Sequence, residues 1–302
     1  AFWIYRCLCF APLPFPPFTV KPDDKSGYIL VLTDLSEKAT HLAEYALNIA
    51  TKVGSDILLY HSFVVPEQSP SHFKWKLVEY FDVQDNIKRK LKVLADHLED
   101  KSQNSDFRPM LKFRCRESEG DLGTDIKNVL ESDSIWMILM GSKEDKCISN
   151  LADGAIGDSV IKSTNCPVLV VPRNAPIKDI SRMAIATNIE TSELAPISFL
   201  RELKESFNPD ILIADEVTPE ELLDRRKEFV EVSRYVVSDT ASSESFYEDA
   251  QAANLNRVTS KNEVDMLGII YNKDHSLHNG FHYNISNPLE SERLPLLISY
   301  SA

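Results

Sequence analysis

Glycine is scarce in this sequence, with 9 glycines among 302 residues, whereas average usage is near ~7 %. A site built from several glycine-rich phosphate loops is therefore disfavoured, because such loops need glycine wherever backbone approaches phosphate. Apolar residues (43 %) and charged residues (26 %) have ordinary globular proportions, which is enough to build a core. The length suits one large domain or two of about 150 residues.

Basic residues are outnumbered by acidic ones, which gives a formal net charge of −13. This charge argues against nucleic acid or an anionic membrane as the main partner, since both reward clustered Lys and Arg. After position 27, no apolar run approaches the length of about 18 residues that marks a membrane span. The five cysteines are odd in number and include no Cys-x-x-Cys pair. This pattern disfavours a zinc site and predicts a reduced, cytoplasmic protein.

Residues 1–27 differ in composition from the rest of the chain. An apolar, aromatic run that Arg6 interrupts is followed by four prolines between positions 12 and 17. A signal peptide would place its positive charge before the apolar run and end in small residues. This stretch is therefore interpreted as an unstructured or non-native extension. A truncated export or anchor signal and an ordered arm are the open alternatives.

The remaining sequence contains an internal repeat. The first two aligned pairs share an offset of 154 and the third has an offset of 128, so the second copy lacks about 26 residues of its middle. The aligned pairs are 28–34 with 183–188, 56–59 with 210–213, and 166–170 with 294–298. We therefore predict a tandem duplication, with a first domain at 28–173, a linker at 174–181 and a second, degenerate domain at 182–302.

Both copies alternate between apolar runs of strand length and segments with helical periodicity. Such alternation predicts an α/β fold with a parallel sheet in each half. The predicted strands are 28–34, 56–63, 107–117, 135–140 and 167–172, then 182–188, 210–216, 231–238, 264–271 and 294–300. The predicted helices follow the first strand and then span 73–101, 122–133, 154–164, 192–207, 219–229, 243–257 and 285–292.

Two helices carry more detailed predictions. In the first, Ser36 is the expected N-cap and Gly54 the expected stop. In the long helix near 73–101, Phe81, Ile87 and Leu91 are expected on the buried side, together with Leu77, Leu94 and Leu98.

Parallel sheets bind ligands at the carboxyl ends of their strands, near the point where the topology switches. The first copy places Asp34, His61–Phe63 and Met140–Ser142 there. The opening Ile29–Ser36, the fourth strand with its glycine turn, and the closing Asn165–Pro172 resemble the universal stress protein family. The resemblance implies Rossmann-like halves of the adenine nucleotide alpha hydrolase type, each a five-stranded parallel sheet in the order 3-2-1-4-5.

Nucleotide-binding members of that family carry Met-Gly-x-x-Gly-x(9)-Gly-Ser/Thr after the fourth strand. The resemblance therefore implies a site for ATP or another adenine nucleotide in the first half. Its residues would be Asp34, Ser62 and Phe63 around the base, Met140 opening the motif, and Gly141, Ser142, Gly154 and Ala155 along the phosphates.

This sequence departs from the motif at two positions and adds a negative charge at a third. Glu144 occupies the middle glycine position, Ala155 replaces the hydroxyl residue, and Asp153 adds a second carboxylate. A carboxylate where phosphate should lie opposes binding by ~1 kcal/mol or more at a few ångströms, and Lys143 and Lys146 would offset part of this. The open interpretations are triphosphate binding, a smaller adenine ligand, and a loop that only closes the sheet edge.

The second copy lacks the glycine loop, and Asn188 stands where the first copy has Asp34. Residues 177–302 contain 12 basic and 22 acidic side chains, so we expect no nucleotide there. The histidines between 275 and 282 have metal-like spacing, but Asn279-Gly280 interrupts the helix that aligned ligands would need. We interpret them as loop residues, and His61 as a hydrogen-bonded residue at the edge of the site.

The resulting hypothesis is a non-catalytic cytoplasmic stress-response protein that acts by binding a ligand or a protein partner. The alternative is an ATP-binding regulator or slow ATPase that uses the first half only. Single-domain relatives often dimerise through the closing strand. We therefore predict that the closing strands 167–172 and 295–300 pair antiparallel within one chain, as a pseudo-dimer. Nucleic acid and membranes are not expected partners, while a homodimer of the whole chain and an unknown protein partner stay open.

Overall fold

The computed structural model describes residues 27–64, 73–103, 110–142, 159–161, 163–164, 166–187, 195–215, 263–272 and 294–301. The described strands are β1 (Tyr28–Leu32), β2 (Asp56–Phe63), β3 (Phe113–Glu119), β4 (Ile135–Gly141), β5 (Val168–Val171), β6 (Arg182–Thr187), β7 (Asp210–Asp215), β8 (Met266–Asn272) and β9 (Leu296–Ser301). The described helices are α1 (Ala39–Val53), α2 (Phe73–Gln103), α3 (Leu122–Ser132) and α4 (Ala195–Phe207).

Most predicted elements agree with these bounds to within a few residues. The third strand is an exception, because 107–117 was expected and the strand begins only at Phe113, where it pairs with Ile57 of β2. Several predicted segments lie wholly or largely outside the described residues. These are the extension at 1–26, the helix at 154–164, the strand at 231–238, and the helices at 219–229, 243–257 and 285–292.

The described strands form one mixed sheet in the order β3-β2-β1-β4-β5-β9-β8-β6-β7. The first half therefore has the expected order 3-2-1-4-5, with all its neighbours parallel. In the second half, β9, β8, β6 and β7 follow the same order as far as they are described, again in parallel. The predicted α/β class is confirmed.

The two closing strands, β5 and β9, are neighbours and run antiparallel. Val168 pairs with Ile298, Leu169 with Leu297, and Val170 with Leu296. This pairing of the closing strands was predicted and is confirmed. Each strand covers the apolar edge of the other, and an uncovered apolar edge would invite aggregation.

Helix α1 ends as predicted but does not begin as predicted. Gly54 adopts the left-handed conformation (φ 74°) and its N–H donates to the Ala50 carbonyl, which is an ordinary glycine stop. The N-cap is Lys38, with no side-chain cap, so the assignment of Ser36 was wrong. To the first turn of α1, Ser36 contributes its backbone carbonyl, which accepts the Ala39 N–H at 3.0 Å.

Helix α2 has a buried apolar face that does not include Phe81. Ile87, Leu91, Leu94 and Leu98 are buried as expected, but the Phe81 side chain is 56 % exposed. Tyr80 takes the inward position, with its ring 6.1 Å from that of Phe63. One residue along a helix is a rotation of about 100°, so the neighbour of an inward aromatic points away.

The hydrophobic core consists of one cluster on each face of the sheet, and each cluster contains residues of both halves. Helices α1, α2 and α4 contribute to the first cluster, which includes Leu91, Phe199 and Leu203. Helix α3 contributes to the second, with Ile126 and Val129. Because both clusters cross the β5–β9 seam, the two halves share their cores.

Gly27, just before β1, lies where no side chain fits. An ideal Cβ there would be 2.2 Å from the backbone oxygen of Ser134, which also accepts the Tyr28 N–H at 2.7 Å. Gly27→Ala should therefore lower the free energy of unfolding by about 2 kcal/mol, as overpacking does. Urea denaturation measures this. Gly268→Ala is the matched control because its new Cβ would make ordinary contacts, 3.6 Å from Ile185. Equal losses in both variants would contradict the steric argument.

Candidate functional site

The carboxyl ends of β1, β2 and β4 meet at one edge of the sheet. Leu32, the last residue of β1, pairs with Tyr60 on one side and Met140 on the other. The residues that follow these positions therefore leave the sheet side by side. We call residues 33–36, 61–63 and 140–142 the carboxyl edge.

The turn that follows β1 is held by its own side chains. Thr33 Oγ1 accepts the Leu35 N–H at 3.1 Å, and Asp34 Oδ1 accepts the Ser36 N–H at 3.0 Å. Leu35 has φ 56°, a strained conformation for a bulky side chain. Its side chain packs against the first core cluster, so packing maintains the strain. The result is a fixed turn that presents the exposed Asp34 carboxylate at the carboxyl edge.

Two polar side chains of β2 also bond to nearby backbone. His61 Nδ1 lies 2.7 Å from the Thr33 carbonyl oxygen, so this nitrogen carries the donated proton. Ser62 Oγ donates to the Gly120 carbonyl at 2.7 Å. The interpretation of His61 as a hydrogen-bonded edge residue agrees with this geometry.

Ser62 and Phe63, both predicted around an adenine base, point to opposite faces of the sheet. Successive strand residues alternate in direction. Phe63 packs in the first core cluster and is 8 % exposed, whereas Met140 packs against the second. The structure thus brings Asp34, Gly141 and Ser142 together at the edge, while it directs the Phe63 side chain into the core.

Among the described residues, few atoms lie close to Gly141 at the end of β4. An ideal Cβ there would meet only Leu42 Cδ2, at 3.9 Å, so the described structure does not itself require glycine. The following Ser142 N–H donates to the Val171 carbonyl at 3.1 Å, which ties this end to β5. Gly154 and Ala155 lie outside the described residues, as do Lys143, Glu144, Lys146 and Asp153. The role of these residues as a phosphate-binding loop therefore stays a prediction.

The buried hydroxyl of Tyr60 lies just before the carboxyl edge. Burial raises the pKa of Tyr60, and the nearby Asp125 carboxylate raises this pKa as well. Tyr60 is therefore protonated at neutral pH. Within the described part of the chain, no group of three or more His, Cys, Asp or Glu side chains could hold a metal ion.

Sequence reasoning missed two contributors to this edge. The side chain of Leu42, in the first turn of α1, borders Gly141, and the adjacent His41 bonds to the segment after β5. Both follow from how α1 packs on the sheet. The helical periodicity of the sequence predicts the apolar face of α1. It does not predict which polar side chains of the helix contact which loop.

A family comparison decides the relationship of the first half. The model of the universal stress protein family matches residues 27–172.

Residues 27–172 belong to the universal stress protein family. A universal stress protein of Methanocaldococcus jannaschii is 25 % identical over 152 residues, which are 48 % of this chain and 81 % of that protein. The family match over residues 27–172 covers the carboxyl edge with its β1 and β4 ends.

Two solved structures, one of them a universal stress protein, share the fold over nearly the whole chain. One from Archaeoglobus fulgidus has a TM-score of 0.60 and 13 % identity, covering 92 % of this chain and 97 % of its own. A functionally unknown protein from Pseudomonas aeruginosa has a TM-score of 0.54 and 12 % identity, covering 91 % and 92 %. At this identity, the likeness shows the fold alone.

Proposed function

We propose that this chain is a stress-response protein of the universal stress protein type that works by binding a ligand or a protein partner in the cytoplasm, without catalysis. Family membership of residues 27–172 supports the stress-response role. Among the described helices, none is both long and apolar enough to cross a bilayer.

The proposal that the protein is not a catalyst rests on the hydrogen bonds of the polar side chains at the carboxyl edge, which go to backbone groups. Thr33 and Asp34 hold the turn, and His61 and Ser62 donate to backbone carbonyls. A general base or nucleophile must be within reach of the reacting group. Here His61 Nδ1 is bonded to the backbone carbonyl of Thr33. His61 and Asp34 are not hydrogen-bonded to one another, so they do not form a proton relay. The edge is built to present a fixed surface.

The alternative function, an ATP-binding regulator or slow ATPase of the first half, is favoured by Gly141. Contacts with the described residues do not require glycine there, and glycine permits close approach of backbone to a ligand. The proposed ligand is an adenine nucleotide, with Asp34 at the base and Gly141 and Ser142 beside the phosphates. Ser62 would reach it only after breaking its bond to Gly120.

Titration of the full-length protein with a fluorescent ATP analogue separates the two functions. Saturable binding with slow or no release of inorganic phosphate would support the ATP-binding regulator. No binding at millimolar analogue would exclude the ATP-binding regulator and leave another ligand or a protein partner, as in the first proposal. Rapid phosphate release would contradict the non-catalytic proposal.

The double variant Glu144→Gly with Ala155→Ser should bind the ATP analogue about fivefold or more tightly than the parent, since it removes a repulsive charge of ~1 kcal/mol and adds a donor. Glu144→Gln tests the charge alone without adding backbone freedom. Glu99→Gln, an exposed carboxylate on α2, is the control for net charge. Unchanged affinity in the double variant would show that the phosphate loop is misplaced.

A further inference from the structure

Helix α1 carries a polar stripe that faces the segment between the halves. His41 Nε2 donates to the Ala175 carbonyl at 2.8 Å, Asn48 Nδ2 donates to the Lys178 carbonyl at 3.0 Å, and Lys52 Nζ lies 2.9 Å from Asp179 Oδ2. The spacing of seven and four residues places these side chains on one helix face over about three turns. Residues 174–181, which we call the strap, thus lie along α1.

The strap is held mainly by its backbone. Two of the three contacts reach main-chain carbonyls, and the side chains of Ala175 and Ile180 are buried in the first core cluster. The Ala175 N–H also donates to the Pro172 carbonyl at 3.1 Å. A segment anchored in this way is held in a closed form by specific contacts and differs from a flexible tether.

Asp265, just before β8, fastens the far end of the strap. Its Oδ2 accepts the backbone N–H groups of Ser181 at 2.8 Å and Arg182 at 2.9 Å, and its Oδ1 pairs with Lys178 Nζ. Burial raises the pKa of Asp265, but Lys178 and the two N–H groups outweigh burial and keep it below the ordinary value. The second half therefore binds the strap through the ionised carboxylate of Asp265.

The near end of α1 borders the carboxyl edge. Leu42 is the neighbour of Gly141, and Ser36 of the edge accepts the Ala39 N–H. His41 lies in the same first turn and reaches the strap. One turn of one helix thus contacts both the candidate ligand surface and the segment that leads to the second half.

We propose that α1 couples adenine-nucleotide binding at the carboxyl edge to closure of the strap by Asp265, so that each stabilises the other. The proposal rests on the nucleotide-binding alternative under "Proposed function". A ligand that fixes the first turn of α1 also fixes His41, which favours the closed strap. Because coupling is reciprocal, the factor by which the ligand stabilises the closed strap equals the factor by which closing the strap tightens ligand binding, so a looser strap must bind the ligand more weakly.

Amide hydrogen exchange on the full-length protein tests the proposal, with and without a saturating fluorescent ATP analogue. In the parent, the analogue should slow exchange at Ser181 and Arg182. Asp265→Ala should speed exchange there about tenfold or more, since two charge-assisted hydrogen bonds are lost. It should also weaken analogue affinity about fivefold or more. Asp96→Ala, which removes the exposed Lys92–Asp96 pair on α2, should change neither measurement.

Asn48→Ala serves as a second variant, since it removes one strap contact and leaves Asp265 in place. It should shift exchange and affinity in the same direction by smaller factors, and it decides the question if Asp265→Ala does not fold. Faster strap exchange with unchanged analogue affinity would overturn the coupling. Equal strap exchange in parent, Asp265→Ala and Asn48→Ala would overturn strap closure. If the parent binds no analogue, the nucleotide-binding alternative and the coupling both fail, while exchange of the free proteins still decides whether the strap is closed.

Discussion

Replacing Leu169 and Leu297 with lysine should break the seam between the halves. The two residues are direct partners across β5 and β9, and they are 0 % and 1 % exposed. Two ammonium groups at this position would be buried, close together and without a counter-charge. Burying even one unpaired charge is strongly destabilising, so we expect a loss of more than about 3 kcal/mol at the seam.

Small-angle scattering should show a larger radius of gyration for this double variant, while circular dichroism shows that the sheets persist. The core clusters cross the seam, so the parent should unfold in one transition and the variant in two. The matched control is Val93→Lys with Met110→Lys, which adds the same charge at positions that are 69 % and 97 % exposed. A double variant as compact as this control would place the contact between the halves elsewhere.

The sheet could be predicted from the sequence because its strands are buried on both faces. Segments such as Ile135–Gly141 and Val168–Val171 are almost wholly apolar, and that pattern needs no partner to be recognised. The strand order is a different matter, since it came from the family resemblance. The antiparallel pairing of β5 and β9 came from the same resemblance, because an apolar edge must be covered and single-domain relatives often cover it by dimerising through that strand.

The errors arose where a choice between neighbouring residues decides the structure. Phe81 and Tyr80 are equally apolar in a pattern, and only the position of Phe63 selects Tyr80 as the inward ring. Ser36 is a good capping residue, but the Thr33–Asp34 turn uses it before the helix starts. Such outcomes depend on tertiary contacts that a local pattern does not contain.

The candidate site shows the same division. The positions of Asp34 and Gly141 at strand ends follow from the alternation of strands and helices. The strained Leu35, the bond from His61 to Thr33 and the contact of Leu42 with Gly141 carry no sequence signal. They arise because α1 must turn back sharply onto the sheet. The contacts between α1 and the strap could not be predicted from the sequence either, because His41, Asn48 and Lys52 look like ordinary surface residues in a helical pattern.

Trp136→Ala should be the most damaging single change at the contact between the halves. Trp136 belongs to β4 of the first half, yet its ring centroid lies 4.9 Å from that of Phe199 on α4, and its Nε1–H donates to Glu202 Oε2 at 2.6 Å. The side chain is 8 % exposed. Removing a buried tryptophan typically costs about 3–5 kcal/mol through lost burial and the cavity left behind, and here the loss falls on both halves.

Two milder variants separate the ring from its hydrogen bond. Trp136→Phe keeps an aromatic ring against Phe199 but leaves Glu202 without its donor, so it should cost about 1–2 kcal/mol. Glu202→Gln keeps an acceptor for the indole N–H and should cost less than about 1 kcal/mol. Urea denaturation followed by circular dichroism measures all three, because fluorescence changes when the tryptophan is removed. If Trp136→Ala and Trp136→Phe lost the same stability, the hydrogen bond alone would join the halves at this point and the packing argument would be wrong.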